Sequence, residues 1–419
     1  MNELSGVAYL MAMPQYGLAG DVALKPGLAR IRALLAAMGR PDRGMPIMHV
    51  AGTNGKGSTA SFAAAILTSH GLRTGLHTSP HLLHPGERMR VNGIAAPHEW
   101  LDQAVETWRP AIEGTQASYF EATVALSLLR FAEENVDAAV VEVGLGGRLD
   151  ATNVLDTAVS VITRVALDHA HILGNSVQAI ASEKAGIIRP GIPVVLGKQD
   201  LPAAHAIRET ALKLQAPLIE AAGRWKGSTL NTPSRRLTHL KPGLEQAHQR
   251  ENAATGVLAS EILLDILNVP LLPRAVRSGL RHVRRLSGLR ARYEILSREP
   301  LCVVDVAHNP DALIPVLQRF RRDAGPGEAR VRLGLMADKE LEPVAVALRE
   351  LNLSVEVVNV ASPRAINADT LAEKLRAAGV SVVDPEVAST VPRLVTGSHQ
   401  VVEIWLREYE DPVVAANGL

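Results

Sequence analysis

Short apolar runs alternate with longer segments of helical periodicity along most of the chain, the pattern of a parallel sheet flanked by helices. Ile47 to Ala51 reads as a buried strand, Gly52 to Gly57 as a glycine-rich turn, and Ser58 to Ser69 as a helix closed by Gly71. Ala138 to Val143, Val159 to Thr163 and Pro193 to Leu196 read as further strands. Between the last two, Asn175 to Ala185 reads as a helix, capped by Asn175 or Ser176 and closed by Gly186. Residues 222–248, rich in Gly, Pro, Ser, Thr and basic side chains, read as short strands or loop, and Glu251 to Leu267 as a helix. The polar, turn-like stretch Arg284 to Gly288 marks a domain boundary, giving one domain over residues 1–285 and a second, smaller α/β domain over 286–419. In the second, Leu301 to Val306, Val331 to Leu335, Ser354 to Val360 and Arg393 to Thr396 are strands with helices between them.

Composition narrows the function classes more than it names one. A formal net charge of +1 gives no basis for electrostatic binding of nucleic acid. The lone Cys302 rules out a disulfide framework within the chain. No apolar run approaches the roughly 20 residues that span a bilayer, and the N-terminus lacks a basic-then-apolar leader. The expectation is a cytoplasmic protein that engages neither nucleic acid nor membrane, and a monomer, since no coiled-coil repeat is present.

The sharpest local feature runs from His49 to Thr59, spelled H-V-A-G-T-N-G-K-G-S-T. Glycines allow a tight turn whose N–H groups face phosphate oxygens, and the following helix adds its positive end. Thr53, Asn54, Gly55 and Gly57 would line such a loop. Lys56 can neutralise the outer phosphates of ATP or GTP, and Ser58 or Thr59 can reach Mg²⁺. The strict pattern G-x-x-x-x-G-K-[ST] is not met: Val50 stands where its first glycine falls, and Gly57 separates lysine from hydroxyl. The loop alone points to a nucleotide and says little about its use.

Other motifs decide. Thr78 to Leu82 (T-S-P-H-L), Glu87 to Gly93 (E-R-M-R-V-N-G), Tyr119 to Thr123 (Y-F-E-A-T) and Glu142 to Asn153 (E-V-G-L-G-G-R-L-D-A-T-N) come first. Leu167 to His169 (L-D-H), Ser182 to Ile187 (S-E-K-A-G-I), Gln249 to Ala254 (Q-R-E-N-A-A), Asp305 to Pro310 (D-V-A-H-N-P) and Asp338-Lys339 follow in order. Together with G-T-N-G-K-G-S, this set resembles the folylpolyglutamate synthase/dihydrofolate synthase family, bacterial bifunctional type, of the Mur ligase-like superfamily. The likeness runs from about residue 25 to about residue 400.

The resemblance implies a phosphate-loop N-terminal domain with a central, mostly parallel sheet and a smaller Rossmann-like C-terminal domain. It implies an ATP-dependent amide ligase that adds L-glutamate to dihydropteroate, to the γ-carboxylate of reduced folates, or to both. In the family, ATP phosphorylates the acceptor carboxylate to an acyl phosphate, and the incoming amine expels phosphate. Both steps gather negative charge and require substrates held in line.

By the same resemblance Ser58, Ser79, Glu142 and His169 are metal ligands for Mg²⁺, and a carbamylated Lys184 serves a second metal site. Potassium is a further cation the family admits. Read without the resemblance, Ser79 is a turn residue before Pro80, His169 a hydrogen-bonded structural histidine, and Lys184 a lysine in the last turn of a helix. Glu142 sits in a Val-rich strand, where an unpaired carboxylate is expensive. Asn252, Arg292 and Asp305 match nucleotide contacts, with Arg290 the alternative to Arg292. Lys56, Lys184, Asp305 and His308 form the catalytic set, and His308 would orient glutamate or its amine. A helix-capping Asp/His cluster is the competing reading of Asp305 and His308. For the pterin acceptor the family uses Ser118, Tyr119, Phe120 and Glu121, then Leu149, Asp150 and Ala151, while Ser398 joins the substrate set. Tyr119 and Phe120 can flank an aromatic ring or equally serve the core.

Two rivals remain. A Mur-type ligase acting on another carboxylate would usually spell G-T-N-G-K-T and carry an extra N-terminal domain, for which the residues before Gly52 leave no room. A nucleotide-dependent regulatory ATPase has no evident use for Lys184 or the Asp305/His308 pair.

Overall fold

The computed structural model describes residues 5–15, 27–385 and 390–410. Contacts divide the described chain into two compact units, with the break between Leu289 and Arg290. That break falls later than the 285/286 boundary expected from sequence. The turn-like stretch before it is a short helix, Val283–Ser287, closed by the left-handed Gly288. Val283 and Ser287 are buried, so four-residue spacing carries the helix through a polar stretch.

In the first unit, eight strands form one sheet: β1 Ile47–Ala51, β2 Thr74–His77, β3 Met89–Val91, β4 Ile94–Ala95, β5 Ala138–Glu142, β6 Val159–Ile162, β7 Val194–Leu196 and β8 Leu218–Glu220. Their order is β4-β3-β2-β5-β1-β6-β7-β8. From β2 to β8 neighbours pair in parallel, while β3 and β4 turn back antiparallel. The central strands are buried on both faces, which is why they read as unbroken apolar runs. Met48, Val50 and Val140 point into one core, and Ile47, Ala139 and Val141 into the other.

Four helices matter for the site. Helix α1 (Lys56–Ser69) begins at the glycine turn, earlier than the expected Ser58. Helix α2 (Tyr119–Glu133) is fixed by a capping box, and α3 (Val177–Ala185) is capped by the Ser176 hydroxyl. Helix α4 (Ala247–Ile266) packs along α1 and starts before the expected Glu251. Residues 222–248 supply a separate three-stranded sheet from β9 Trp225–Lys226, β10 Thr229–Asn231 and β11 Arg236–Leu237.

The second unit has its own sheet and its own core. Its strands are β12 Glu294–Arg298, β13 Leu301–Val304, β14 Arg330–Leu333, β15 Ser354–Val357, β16 Val382–Val383 and β17 Arg393–Thr396, ordered β12-β13-β17-β14-β15-β16. All but β12 pair in parallel. Helix α5 (Pro310–Ala324) follows β13, and α6 (His399–Glu410) follows β17.

Candidate active site

In a parallel sheet the C-terminal ends of the strands share one edge, and ligands gather there. At that edge of the first unit β1 runs into residues 52–55, β2 into Ser79, β5 ends on Glu142, and β6 leads to the 163–169 segment.

The turn after β1 is held from beneath by the segment after β6. The N–H groups of Thr53 and Asn54 both donate to Arg164 O, at 2.8 and 3.1 Å. Thr163 Oγ1 donates to Asn54 O at 2.8 Å. Lys56 folds back and donates to Thr53 O at 3.1 Å, so its ammonium lies over the loop. Gly55 caps α1 in a left-handed conformation, φ 88°. A Cβ at residue 55 would lie 2.3 Å from Asn252 Oδ1. Helix α4 thus brings Asn252 against the loop. Ser58 and Thr59, in the first turn of α1, are buried, and Thr59 Oγ1 has no hydrogen-bond partner.

Next along the edge, Glu142 Oε2 accepts the N–H of Ser79 at 3.1 Å. Glu142 is only 4% exposed, a costly position for a carboxylate. Ser58, Ser79 and Glu142 offer oxygen donors, which suit Mg²⁺. His169 stands apart in chemistry: it adopts φ 50°, its N–H donates to Asp168 Oδ1 at 2.9 Å, and its ring nitrogen lies 3.8 Å from the same oxygen.

Lys184 lies in the last turn of α3 but is not a solvated helix-end lysine; it is 4% exposed. Burial pushes its pKa down to about 7, helped by the charge of Lys56 and opposed by Asp168 and Asp150. Its neighbourhood is packed tightly enough that a Cβ on Gly147 would sit 2.7 Å from Glu183 O and 3.0 Å from Lys184 Cα. Glycine at 147 therefore lets the 142–153 loop lie directly on the end of α3. Arg148 locks that contact, its backbone N–H donating to Glu183 O and its guanidinium to Glu183 Oε1 and Ser182 O.

Among the acceptor candidates, Ser118 and Glu121 bond to each other. The Ser118 N–H donates to Glu121 Oε2 at 2.7 Å, the Glu121 N–H donates to Ser118 Oγ at 3.2 Å, and Arg30 pairs with the same carboxylate. Glu121 Oε1 is buried without a hydrogen-bond partner. Tyr119 is buried, with the Arg88 guanidinium 5.1 Å from its ring centroid. Phe120 lies over the backbone of Gly144 and meets His77 edge-on at 6.0 Å. Asp150 is buried and organises its own loop: Oδ1 accepts Thr152 N and Oγ1, and Oδ2 accepts Leu145 N. Burial raises its pKa, while those hydrogen bonds pull the other way. Leu149 is exposed and Ala151 buried.

Sequence reasoning passed over three residues here. Asp168, inside a quoted motif, was left off the site although its charge acts on Lys184. His49 and His77 are fully buried on β1 and β2, each opposite Val141 of β5. Their pKa values fall to about 3, chiefly through burial, so both rings are neutral. Each leaves one ring nitrogen, His49 Nδ1 and His77 Nε2, without a hydrogen-bond partner, which costs about 1–3 kcal/mol apiece.

In the second unit the candidates again cluster at strand ends. Asp305 is buried, and its carboxylate accepts Tyr293 N at 2.6 Å and Ala307 N at 2.8 Å. Arg292 lies in the turn before β12, with Nη1 donating to Ala291 O at 3.2 Å. Its alternative, Arg290, pairs with Glu294 at 2.7 Å. His308 Nδ1 is 3.0 Å from Val306 O, and its ring is 5.9 Å from that of His399. Asn309 caps α5, and Ser398 Oγ accepts Val401 N at 3.1 Å at the start of α6.

Comparison with known proteins gives this arrangement its class. The Mur ligase middle domain matches residues 50–210, and the Mur ligase, glutamate ligase domain matches residues 291–403. Both domains are thus of the Mur ligase type. Folylpolyglutamate synthase of Lacticaseibacillus casei is 34% identical over 385 residues, 87% of this chain and 87% of that protein. Dihydrofolate synthase/folylpolyglutamate synthase of Bacillus subtilis is 33% identical over 360 residues, 82% of this chain and 83% of that protein. A solved structure of Escherichia coli FolC in complex with DHPP and ADP superposes with a TM-score of 0.81 at 28% identity, covering 98% of this chain and 97% of that one. The chain belongs to the folylpolyglutamate synthase/dihydrofolate synthase family. Among the described residues no helix is long and apolar enough to cross a membrane.

Proposed function

We propose that this protein uses ATP to join L-glutamate to the carboxylate of dihydropteroate, to the γ-carboxylate of a reduced folate, or to both, through an acyl phosphate. The observation that carries the reading is the single sheet edge that holds the Lys56 loop and the Ser79–Glu142 pair, with buried Lys184 near enough for the Lys56 charge to act on it, in a chain whose relatives carry the ligase names above.

The loop 52–57 takes the phosphates, with Lys56 meeting the charge that grows as the γ-phosphoryl group leaves. Asn252 flanks the loop on the α4 side, and the family resemblance makes Arg292 and Asp305 further candidates for nucleotide contact. Ser58, Ser79, Glu142 and His169 would hold Mg²⁺, with Asp168 placed to orient the His169 ring. When bound, Mg²⁺ supplies positive charge against the transferred phosphoryl oxygens. Lys184 would hold a second such ion after taking up CO₂ as a carbamate: its neutral amine attacks the carbon of CO₂, loses a proton, and becomes a carboxylate-like oxygen donor. Burial supports this role, since it disfavours the charged amine.

Phe120 and the Leu149–Ala151 loop would receive the pterin ring, with Tyr119, Ser118 and Glu121 shaping the start of α2 behind it. In the second unit, His308 would orient the glutamate amine, with Ser398 setting the neighbouring turn. The protein acts in the cytoplasm as a monomer. ADP release that requires both glutamate and a pteroate or folate acceptor tests the assignment.

A further inference from the structure

His49 lies on β1, the strand that runs into the phosphate loop, yet its ring serves a different element. Its Nε2 is 2.8 Å from Oγ1 of Thr152, across 103 positions of sequence. That hydroxyl donates to Asp150 Oδ1. A hydroxyl carries one hydrogen, and an ionised carboxylate only accepts. Thr152 therefore spends its hydrogen on Asp150, and His49 Nε2–H must be the donor to Thr152. The other ring nitrogen, Nδ1, is then an acceptor, and it is the atom left buried without a partner. An apolar side chain would fill the same space without that unpaired nitrogen, so packing does not account for histidine here.

Asp150, at the end of this chain of hydrogen bonds, ties Leu145 N to Thr152 N and so closes the loop that carries Leu149 and Ala151. We infer that His49 is a positioning residue for the acceptor substrate: by ordering the Thr152 hydroxyl it lets Asp150 hold the 144–152 loop in its acceptor-binding shape. The inference rests on the reading above, in which that loop receives the pterin ring. It predicts an effect on the acceptor although His49 sits on the strand leading to the ATP loop.

The test is steady-state kinetics on full-length His49→Leu, His49→Gln, Thr152→Val and Thr152→Ser, with dihydropteroate and a reduced monoglutamyl folate as acceptors. Thermal unfolding runs beside it. His49→Leu and Thr152→Val should each raise acceptor KM about tenfold while ATP KM stays within about twofold. His49→Gln, whose amide N–H can stand in for Nε2–H, and Thr152→Ser should keep most of the wild-type acceptor KM. Should His49→Leu fail to fold, Thr152→Val, which trades a hydroxyl for a methyl, carries the test. An unmoved acceptor KM, or parallel rises in acceptor and ATP KM, overturns the inference. Wild-type protein that forms no amide with either acceptor overturns the functional reading itself, and this inference with it.

Discussion

Gly55 and Asn252 approach so closely that a Cβ on residue 55 would lie 2.3 Å from the Asn252 side-chain oxygen. Residue 55 also has φ 88°, where an L side chain costs about 1–2 kcal/mol. Gly55→Ala should therefore lower the melting temperature and raise ATP KM about tenfold or more, because either the turn or Asn252 must move. An alanine variant with wild-type ATP KM would show that the phosphates bind elsewhere.

Lys56 donates to the loop it crosses, and its ammonium is the cation placed on that loop. Lys56→Met should leave the fold intact and lower kcat by about 10²–10³, the usual loss for one donor to developing charge. Circular dichroism and a single-turnover ADP assay separate loss of fold from loss of chemistry.

Lys184 combines 4% exposure with a pKa lowered to about 7. Intact-mass measurement under mild conditions should show a species heavier by one CO₂, absent in Lys184→Arg. Activity should fall in bicarbonate-free buffer and return on adding bicarbonate. Lys184→Arg, which keeps charge but cannot form the carbamate, should lose about 10²-fold or more in kcat. An active arginine variant would rule the carbamate out.

The buried imidazoles of His49 and His77 make stability depend on acid. Their folded pKa values of about 3 lie below the ordinary 6.5, so between those limits the unfolded chain binds more protons than the folded one. Stability should fall as pH drops from 6.5 toward 3, by up to about 1.4 kcal/mol per pH unit for each histidine. His77→Leu should flatten the fall in melting temperature between pH 6.5 and 5. Equal slopes in variant and wild type would contradict the burial argument.

The strand–turn–helix of residues 47–69 was legible because both apolar signals are strong and the glycines between them allow little else. Other parts were not. β3 and β4 are too short for a two-residue period to register, and β4 is part exposed. The 283–287 helix hid among arginines because, of its five residues, only Val283 and Ser287 are fully buried. Motif spelling brought Lys56, Ser79, Glu142, His169, Lys184 and Asn252 into the candidate set; in the structure Asn252 lies against Gly55, Ser79 donates to Glu142, and the Lys56 charge acts on Lys184. It could not show that Asp150 spends its oxygens on its own loop, since two of its donors, Leu145 N and Thr152 N, are backbone groups that any sequence supplies, and the third is the Thr152 hydroxyl. Nor could it show what His49 touches: Thr152 becomes its neighbour only when β1 and β5 pair and the 142–153 loop folds over them.

The central claim is glutamate ligation to a pteroate-type carboxylate, and labelled L-glutamate tests it most directly. Purified protein would be incubated with ATP, Mg²⁺ and bicarbonate, with dihydropteroate in one reaction and a reduced monoglutamyl folate in another. The account predicts ATP-dependent label in the product of at least one reaction, with ADP released in step; label in both defines a bifunctional enzyme. No labelled product and no acceptor-dependent ADP in either reaction would contradict it.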